Sequence, residues 1–367
     1  MQEFKVKEII RLIEEFAPPA LQEDYDNSGL QIGDPEMTVT GILIALEVTQ
    51  EILEEALALN SNLIVTHHPL SLSGIKSITA SQTTGAIIIK AARENIAIFS
   101  AHTNIDSVKE GVSHRLARKI GLINSRVLEP RSGLLVKLVT FVPPDEADKL
   151  RTALFEAGAG HIGNYDACSY NLQGEGTFRA NEQANPYVGK TGEIHTEKET
   201  RIETIFPAYL QNKVVHSLVT HHPYEEPAFD LYPLNNSWSQ AGFGIVGQLP
   251  VPVAPMNFLE SLKTAVQTGC IRHTAPPPDL VKTVAVCGGS GSFLIKKALA
   301  AGADVFVTAD IKYHQFFETS KDMMIADIGH YESEQFTKEL FFELLTKKLP
   351  NFAIRLSIVN TNPIKYY

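Results

Sequence analysis

Residues 41–69 read GILIALEVTQEILEEALALNSNLIVTHHP, and this stretch predicts a strand, a helix and a second strand. Residues 41–48 form an apolar run typical of a buried strand, residues 50–59 carry apolar side chains at helical spacing, and residues 62–65 are apolar again. Two strands joined by a crossover helix run parallel in one sheet. The stretch therefore predicts a layered α/β domain with a mostly parallel sheet.

The same alternation continues on both sides of this stretch. Before it, residues 6–16 predict a helix that ends ahead of Pro18. After it come two further predicted helices and a strand, at residues 83–94, 111–120 and 96–99. Beyond residue 245 the pattern returns, with predicted strands at residues 281–286, 304–307, 324–328 and 353–359 and a last helix at 334–345. We interpret residues 1–127 and 239–367 as the two halves of one split α/β domain.

The middle of the chain has a different order of elements. Between residues 128 and 238 the pattern predicts strand, helix, strand, strand and helix, with a polar loop near residues 179–201. This order is typical of a small ferredoxin-like α+β unit. The sequence therefore predicts an α+β domain, residues 128–238, inserted into the split α/β domain.

Charge and composition exclude several classes of protein. The formal charge of −10 and the isoelectric point near 5.7 disfavour binding to nucleic acid, because phosphate neutralisation needs a basic face. No apolar run is long enough to span a bilayer, and the start of the chain lacks the features of a secretory signal, so we expect a cytoplasmic protein. The three cysteines form no C-x-x-C pair, so a metal site would have to use His, Asp and Glu.

Four predicted strands are each followed by a segment that is rich in histidine or carboxylate residues. His67 and His68 follow the strand of residues 62–65, and the other three strand ends carry pairs at a spacing of four. These pairs are His102 with Asp106, Asp310 with His314, and His330 with Glu334. In open α/β sheets ligands bind at the carboxyl ends of strands. We therefore expect a metal site formed by His67, His68, Asp106, His330 and Glu334.

Five such ligands exceed what one tetrahedral zinc uses, so two divalent ions are the more economical interpretation. Imidazole and carboxylate without thiolate suit zinc, manganese, cobalt or iron, and the sequence does not choose among them. His102 and His314 are candidate catalytic residues that would transfer protons or hold substrate phosphate. The alternative is that they only orient Asp106 or Asp310.

Two other segments have both a functional and a structural interpretation. A second T-H-H-P, with His221 and His222, is interpreted as a structural turn or a cavity wall rather than another metal site. The segment V-C-G-G-S-G, residues 286–291, is interpreted as a tight strand-to-helix turn, although its amides would also suit an anion. The segment D-N-S-G-L-Q-I-G, residues 26–33, contains many turn formers and is expected near the site.

Five motifs in order resemble the homologues of type-two GTP cyclohydrolase I, also called NIF-three-like proteins. They are D-N-S-G-L-Q-I-G-D, T-H-H-P, H-T-N-I-D, T-A-D-I-K-Y-H and G-H-Y-E-S-E. The resemblance implies that His67, His68, Asp106, His330 and Glu334 bind two metal ions. It also implies a homohexamer and an inserted domain similar to CutA and PII proteins, as in the longer bacterial members.

Two hypotheses about function follow from these observations. The first is a metal-dependent hydrolase acting on a nucleotide or another small phosphorylated or cyclic-amide substrate. The second is a non-catalytic, metal-dependent assembly or sensor whose inserted domain binds an effector or a partner.

Overall fold

The computed structural model describes residues 3–319 and 321–367. Met1, Gln2 and Ser320 belong to the predicted metal-binding domain and lie outside the described residues. The chain divides into two compact units, one of residues 1–130 with 240–367 and one of residues 131–239. The second unit is called the insert below, and it differs by a few residues at each end from the predicted range of 128–238. Among the described residues, no helix has the length and apolar character needed to cross a membrane.

Up to residue 132 the chain alternates between strands and helices. The elements are α1 (Val6–Phe16), β1 (Gly29–Ile32), β2 (Ile42–Ala45), α2 (Gln50–Ala58), β3 (Leu63–Thr66), α3 (Thr83–Arg93), β4 (Ala97–Ser100), α4 (Thr103–Ser107), α5 (Val112–Lys119) and β5 (Ile123–Ser132). All four residues of β2, β3 and β4 are buried, as expected for strands covered on both faces. The predicted strand-helix-strand stretch around β2, α2 and β3 is confirmed.

The insert has its own order of elements. They are β6 (Leu135–Val142), α6 (Ala147–Glu156), β7 (Tyr170–Arg179), β8 (Ile194–Pro207), α7 (Gln211–His221) and β9 (Phe229–Leu234). The strands form an antiparallel sheet in the order β7-β8-β6-β9. This is the βαββαβ pattern of ferredoxin-like folds. One sheet face packs on the two helices through apolar residues such as Leu138, Ile202 and Phe206.

The remainder of the chain completes the larger unit. Its elements are β10 (Ser237–Val253), α8 (Pro255–Val266), β11 (Arg272–His273), β12 (Val281–Ser290), α9 (Ile295–Ala300), β13 (Val305–Ala309), β14 (Met324–Asp327), α10 (His330–Glu334), α11 (Thr337–Lys348) and β15 (Ile354–Leu356). The predicted single helix of residues 334–345 is wrong, because α10 ends at Glu334 and α11 begins at Thr337.

The strands of the larger unit belong to two sheets, so the expectation of one sheet is also wrong. The first has the order β1-β4-β3-β2-β15, and β15, β2, β3 and β4 run parallel. The second has the order β11-β14-β13-β12-β10-β5, and β12, β13 and β14 run parallel. Antiparallel neighbours flank the parallel strands: β1 in the first sheet, and β11 and β10 in the second. The parallel core of each sheet matches the prediction.

Candidate metal centre

Five strands from both sheets of the larger unit end at one cluster of histidine and carboxylate side chains. Glu47 follows β2, His67 and His68 follow β3, and Asp106 lies on α4 after β4. From the second sheet, Asp310 follows β13, and α10 after β14 carries His330 and Glu334. The cluster therefore lies at the carboxyl ends of the parallel strands, as the sequence predicted.

His67 is fully buried and presents one ring nitrogen to the cluster. Its Nδ1 atom is hydrogen-bonded to the carbonyl oxygen of Ala101 at 3.0 Å. Its Nε2 atom lies 3.7 Å from Asp106 Oδ1 and 3.6 Å from Glu334 Oε1. The His67 Nε2 and Asp106 Oδ1 atoms are buried and have no hydrogen-bond partner among the described residues. Because buried polar atoms are nearly always satisfied, these two atoms mark a place that a cation fits.

Glu334 directs its two carboxylate oxygens to different histidines. Oε2 lies 2.9 Å from His68 Nε2 and 3.0 Å from His330 Nε2, whereas Oε1 faces His67. The Nε2 atoms of His68 and His330 are 3.3 Å apart. The i,i+4 spacing of His330 and Glu334 on α10 brings these two side chains together, as predicted.

Donor atoms in the cluster form three groups whose spacing could hold a metal ion. They are His67 with His68 and His102, His68 with His330 and Glu334, and His67 with Asp106 and Glu334. Within each group the donor atoms lie within 4.8 Å of one another. The donors are imidazole and carboxylate alone, which suits divalent ions such as zinc, manganese, cobalt or iron.

Charged side chains of the cluster change the pKa values of their neighbours. Burial tends to lower the pKa of His68, but Glu334 and Glu47 raise it to about 9. Glu334 and Asp310 likewise raise the pKa of His330 to about 11. Burial tends to raise the pKa of Glu334, yet the imidazoles of His67 and His330 hold it well below its usual range. Burial and the neighbouring Glu334 raise the pKa of Asp106 to about 7.

Three further carboxylates orient the histidines through hydrogen bonds to their Nδ1 atoms. Glu47 Oε1 is 3.1 Å from His68 Nδ1, and Asp310 Oδ2 is 2.6 Å from His330 Nδ1. Asp26 Oδ1 lies 2.8 Å from His102 Nδ1, and Asp26 also accepts hydrogen bonds from Ser28 and Thr103. A carboxylate that accepts a hydrogen bond from one ring nitrogen fixes the tautomer of a metal-binding histidine and leaves the other nitrogen to bind the metal.

The glycine segment after β12 packs against the cluster instead of presenting free amides to an anion. The Gly288 amide donates to Ser113 Oγ at 3.2 Å and the Gly289 amide to Ser333 Oγ at 2.8 Å. Gly289 has a φ of +63°, and a Cβ atom there would lie 2.2 Å from Glu334 Oε1. The segment therefore has the structural role that the sequence favoured, and Gly289 allows the backbone to approach Glu334.

The two candidate catalytic histidines have different positions. The ring of His102 lies 5.1 Å from that of His67 and 5.4 Å from that of His68, so His102 belongs to the cluster. His314 is exposed, contacts the ring of Tyr313, and is in none of the donor groups of the described residues. The turn after β13 brings Asp310 to His330, and a role for His314 at the site stays a prediction.

The second His-His-Pro forms a turn in the insert. His222 Nε2 is hydrogen-bonded to the Phe141 carbonyl oxygen at 2.9 Å, and its Nδ1 accepts a hydrogen bond from the Tyr224 amide at 3.1 Å. His221 Nδ1 is hydrogen-bonded to the Ser217 carbonyl oxygen. Neither histidine belongs to a metal-donor group of the described chain, which agrees with the turn interpretation.

Glu47 is the cluster residue that the sequence analysis missed. It lies within the predicted strand of residues 41–48, and a single carboxylate in an apolar run does not by itself indicate a site. Glu47 lies two residues after the end of β2, at the same sheet edge as His67, and this position could have identified it as a site residue. Asp26 was anticipated only as part of a turn-rich segment near the site.

Comparison with known proteins connects this geometry to a family. The family model Duf34/NIF3 (NGG1p interacting factor 3) matches residues 4–363. A protein named "GTP cyclohydrolase 1 type 2 homolog" in Halalkalibacterium halodurans is 38% identical over 363 residues, which cover 98% of each chain. A protein of the same name in Bacillus subtilis is 33% identical over 370 residues, again covering 98% of both chains.

Solved structures show the same fold over the whole chain. The crystal structure of a Bacillus cereus protein related to NIF3 has a TM-score of 0.89 and 39% sequence identity, and the match covers 100% of both chains. A Staphylococcus aureus protein matches over 100% of both chains with a TM-score of 0.79 and 28% identity.

Proposed function

The chain belongs to the Duf34/NIF3 family, and on that basis and on the geometry of its cluster we propose that it is a metal-dependent hydrolase with a two-metal centre. The proposed ligands are His67, His68, Asp106, His330 and Glu334. The proposed substrate is a nucleotide or another small phosphorylated or cyclic-amide molecule. The name of the relatives, which refers to a GTP cyclohydrolase, supports this substrate class.

The observation that carries the two-metal proposal is the orientation of Glu334. One carboxylate oxygen faces His67 and the other faces His68 and His330. Asp106 adds a donor atom on the His67 side. Glu334 would therefore hold an ion together with each of the two sets of donors, as carboxylates do in two-metal hydrolytic sites.

When bound, such ions supply Lewis acidity that activates water and polarises a substrate oxygen. The chain's own residues hold the geometry around them. Glu47 and Asp310 fix His68 and His330 through their Nδ1 atoms, so that both Nε2 atoms face the cluster. Asp26 holds His102 Nδ1 and leaves the other ring nitrogen available, so we assign His102 to proton transfer at the substrate.

Metal analysis tests the centre directly. We expect about two equivalents of zinc, manganese, cobalt or iron in wild type purified without chelators. Glu334→Ala should hold less than one equivalent, and Glu94→Ala, an exposed glutamate away from the cluster, should match wild type. A wild-type protein that stays metal-free and binds none of these ions on titration would overturn the proposal.

Turnover is tested separately with the metal-loaded protein. A panel of GTP, other nucleotides, cyclic dinucleotides and phosphodiesters should contain a substrate whose hydrolysis is lost in Glu334→Ala. A fully loaded wild type that hydrolyses none of the panel would remove the hydrolase assignment and leave the metal centre intact.

Assembly and the identity of the insert are part of the same proposal. The βαββαβ order and the strand order β7-β8-β6-β9 support an insert of CutA/PII type. Family resemblance supports a homohexamer, which sedimentation equilibrium of the full chain tests through its molecular mass.

A non-catalytic, metal-dependent sensor is the second candidate, and a cleft of about 690 Å³ within the insert favours it. Deleting residues 131–239 distinguishes the two functions. A hydrolase with a peripheral insert should retain turnover, whereas a sensor should keep its metal and lose its response to an effector.

A further inference from the structure

The insert contains a cleft that plays no part in the metal centre. Its volume is about 690 Å³, within the range of about 300–1,000 Å³ typical of small-molecule sites. The strands β7 and β8 line one side of the cleft. The segment after β7 and the turn after α7 line the other side, where Tyr187 and Tyr224 contribute aromatic rings.

The cleft lies on the sheet face that α6 and α7 leave uncovered. Leu138 and Ile202 pack into the core beneath the helices. Side chains alternate between faces along a strand, so Phe141, Arg201 and Glu199 lie on the opposite face. The pairings of Phe141 with Arg201 and of Glu199 with Gly174 place these residues side by side.

Hydrogen bonds and ring contacts hold the walls in position. The Tyr224 hydroxyl donates to Glu199 Oε1 at 3.0 Å, and the Asn185 amide donates to Glu225 Oε1 at 2.9 Å. The ring centroids of Tyr187 and Tyr224 are 6.0 Å apart. The turn that carries Tyr224 is held by His222, as described above. The cleft is therefore preformed.

The chemistry of the lining favours a positive charge. Its charged lining residues are four glutamates and two arginines: Glu175, Glu199, Glu225 and Glu226, with Arg179 and Arg201. Arg201 on the cleft face already donates to Glu203 at 2.9 Å. Glutamates therefore outnumber arginines in the lining, and Glu199, Glu225 and Glu226 line the same space as the rings of Tyr187 and Tyr224.

The protein itself places a cation on this wall. The guanidinium carbon of Arg201 lies 5.8 Å from the centroid of the Phe141 ring. A cation within about 6 Å of an aromatic face is attracted by the ring quadrupole. A metal ion fits less well, because no metal-donor group of the described residues lies in the insert.

We propose that this cleft binds a small organic ammonium ion, whose charge faces Glu199 and whose carbon chain packs on Tyr187 and Tyr224. Glu199 would be the residue that determines specificity. Gly174 and Gly176 form the floor, and a Cβ atom on Gly176 would lie 2.2 Å from Glu199 Oε2. Glycine at position 176 therefore lets this carboxylate keep its place, and a larger residue would make it move.

Gly174 provides a way to fill the cleft without disturbing the sheet. A Cβ atom on Gly174 would meet no atom within 4 Å, and its φ lies outside the left-handed region. Because Gly174 lines the cleft, Gly174→Leu should occupy the space of the ligand. Gly74, an open position in the larger unit, allows the same substitution as a control.

Titration calorimetry of the full chain at physiological salt tests the proposal, with spermidine, choline and agmatine as probes. At least one probe should bind wild type, Glu199→Gln should weaken it about 10-fold or more, and Gly174→Leu should abolish it. Glu156→Gln, on α6, and Gly74→Leu should bind as wild type does. The amide of Glu199→Gln still accepts the Tyr224 hydrogen bond, so its effect reports charge and not folding.

Three outcomes would overturn the proposal. The first is that wild type binds none of the three amines, and the second is that both cleft variants bind as wild type does. The third is that the control variants Glu156→Gln and Gly74→Leu weaken binding as much as the cleft variants do. Glutarate and inorganic phosphate serve as anionic probes, and binding of either that Gly174→Leu removes would assign the cleft to an anion instead.

Discussion

The Nε2 atom of His68 lies 2.9 Å from the Oε2 atom of Glu334, although 266 residues separate them in the chain. His68 follows β3 of the first sheet, and Glu334 lies on α10 after β14 of the second. The contact joins the two halves of the split domain across the insertion. Neither half carries the whole set of proposed ligands.

Gly289→Ala should reduce the metal content of the protein and also destabilise the fold. The new Cβ atom would lie 2.2 Å from Glu334 Oε1, so the carboxylate must move. The φ of +63° adds a backbone penalty of about 1–2 kcal/mol to the free energy of folding. Elemental analysis should show at least half of the metal lost.

Gly302→Ala is the matched control for this substitution. Its φ is +70°, and a Cβ atom there would meet nothing within 4 Å. Urea unfolding of the two metal-free variants should give similar losses of stability, while only Gly289→Ala loses metal. Equal metal content in both variants would refute the close approach of Gly289 to Glu334.

Asp310→Asn should weaken metal binding and leave the fold unchanged. Asp310 Oδ2 lies 2.6 Å from His330 Nδ1 and is half exposed, so the amide fits but no longer attracts the ring charge. Loss of such a partner lowers metal affinity by about 10–100-fold. Competition with a chromogenic chelator measures this change, and Glu318→Gln, on the same exposed segment, should have none. Identical affinities for Asp310→Asn and wild type would contradict the orienting role.

How much of this site is predictable from sequence depends on the kind of signal. His67, His68, Asp106, His330 and Glu334 each follow a strongly apolar strand. The parallel order within each sheet brings its carboxyl ends to one edge, and strands of both sheets end at the cluster. Periodicity does not record which strands pair, so the division into two sheets was missed. Nor does spacing show side-chain direction, which is why Glu47 was missed.

Stability of the metal-free protein should fall as pH rises from about 7 to 9. The pKa of His68 is raised from 6.5 to about 9 in the folded state, so the folded chain holds a proton that the unfolded chain releases. The stabilisation is complete below pH 6.5 and is lost as pH rises through 9. Its size is about 3 kcal/mol, from 1.36 kcal/mol for each pKa unit. The raised pKa of Asp106 acts in the same direction up to about pH 7.

Urea unfolding of chelator-treated protein across this pH range measures the effect. His68→Asn should make the decline shallower, because one titrating histidine is gone, whereas His330, whose pKa is raised to about 11, still contributes to it. An equal decline in wild type and His68→Asn, or a rise in wild type, would assign the pH dependence to other groups.

His102→Gln should separate proton transfer from metal binding. His102 lies beside His67 and His68, and Asp26 holds its Nδ1 atom at 2.8 Å, so the ring is positioned to transfer a proton at the cluster. With a substrate from the hydrolysis panel, kcat should fall by about 10²–10⁴-fold while metal content stays at the wild-type level. His314→Gln should change neither quantity, because His314 is exposed and outside the donor groups of the described chain. If His102→Gln instead loses metal, His102 is a ligand, and the proton must move through another group.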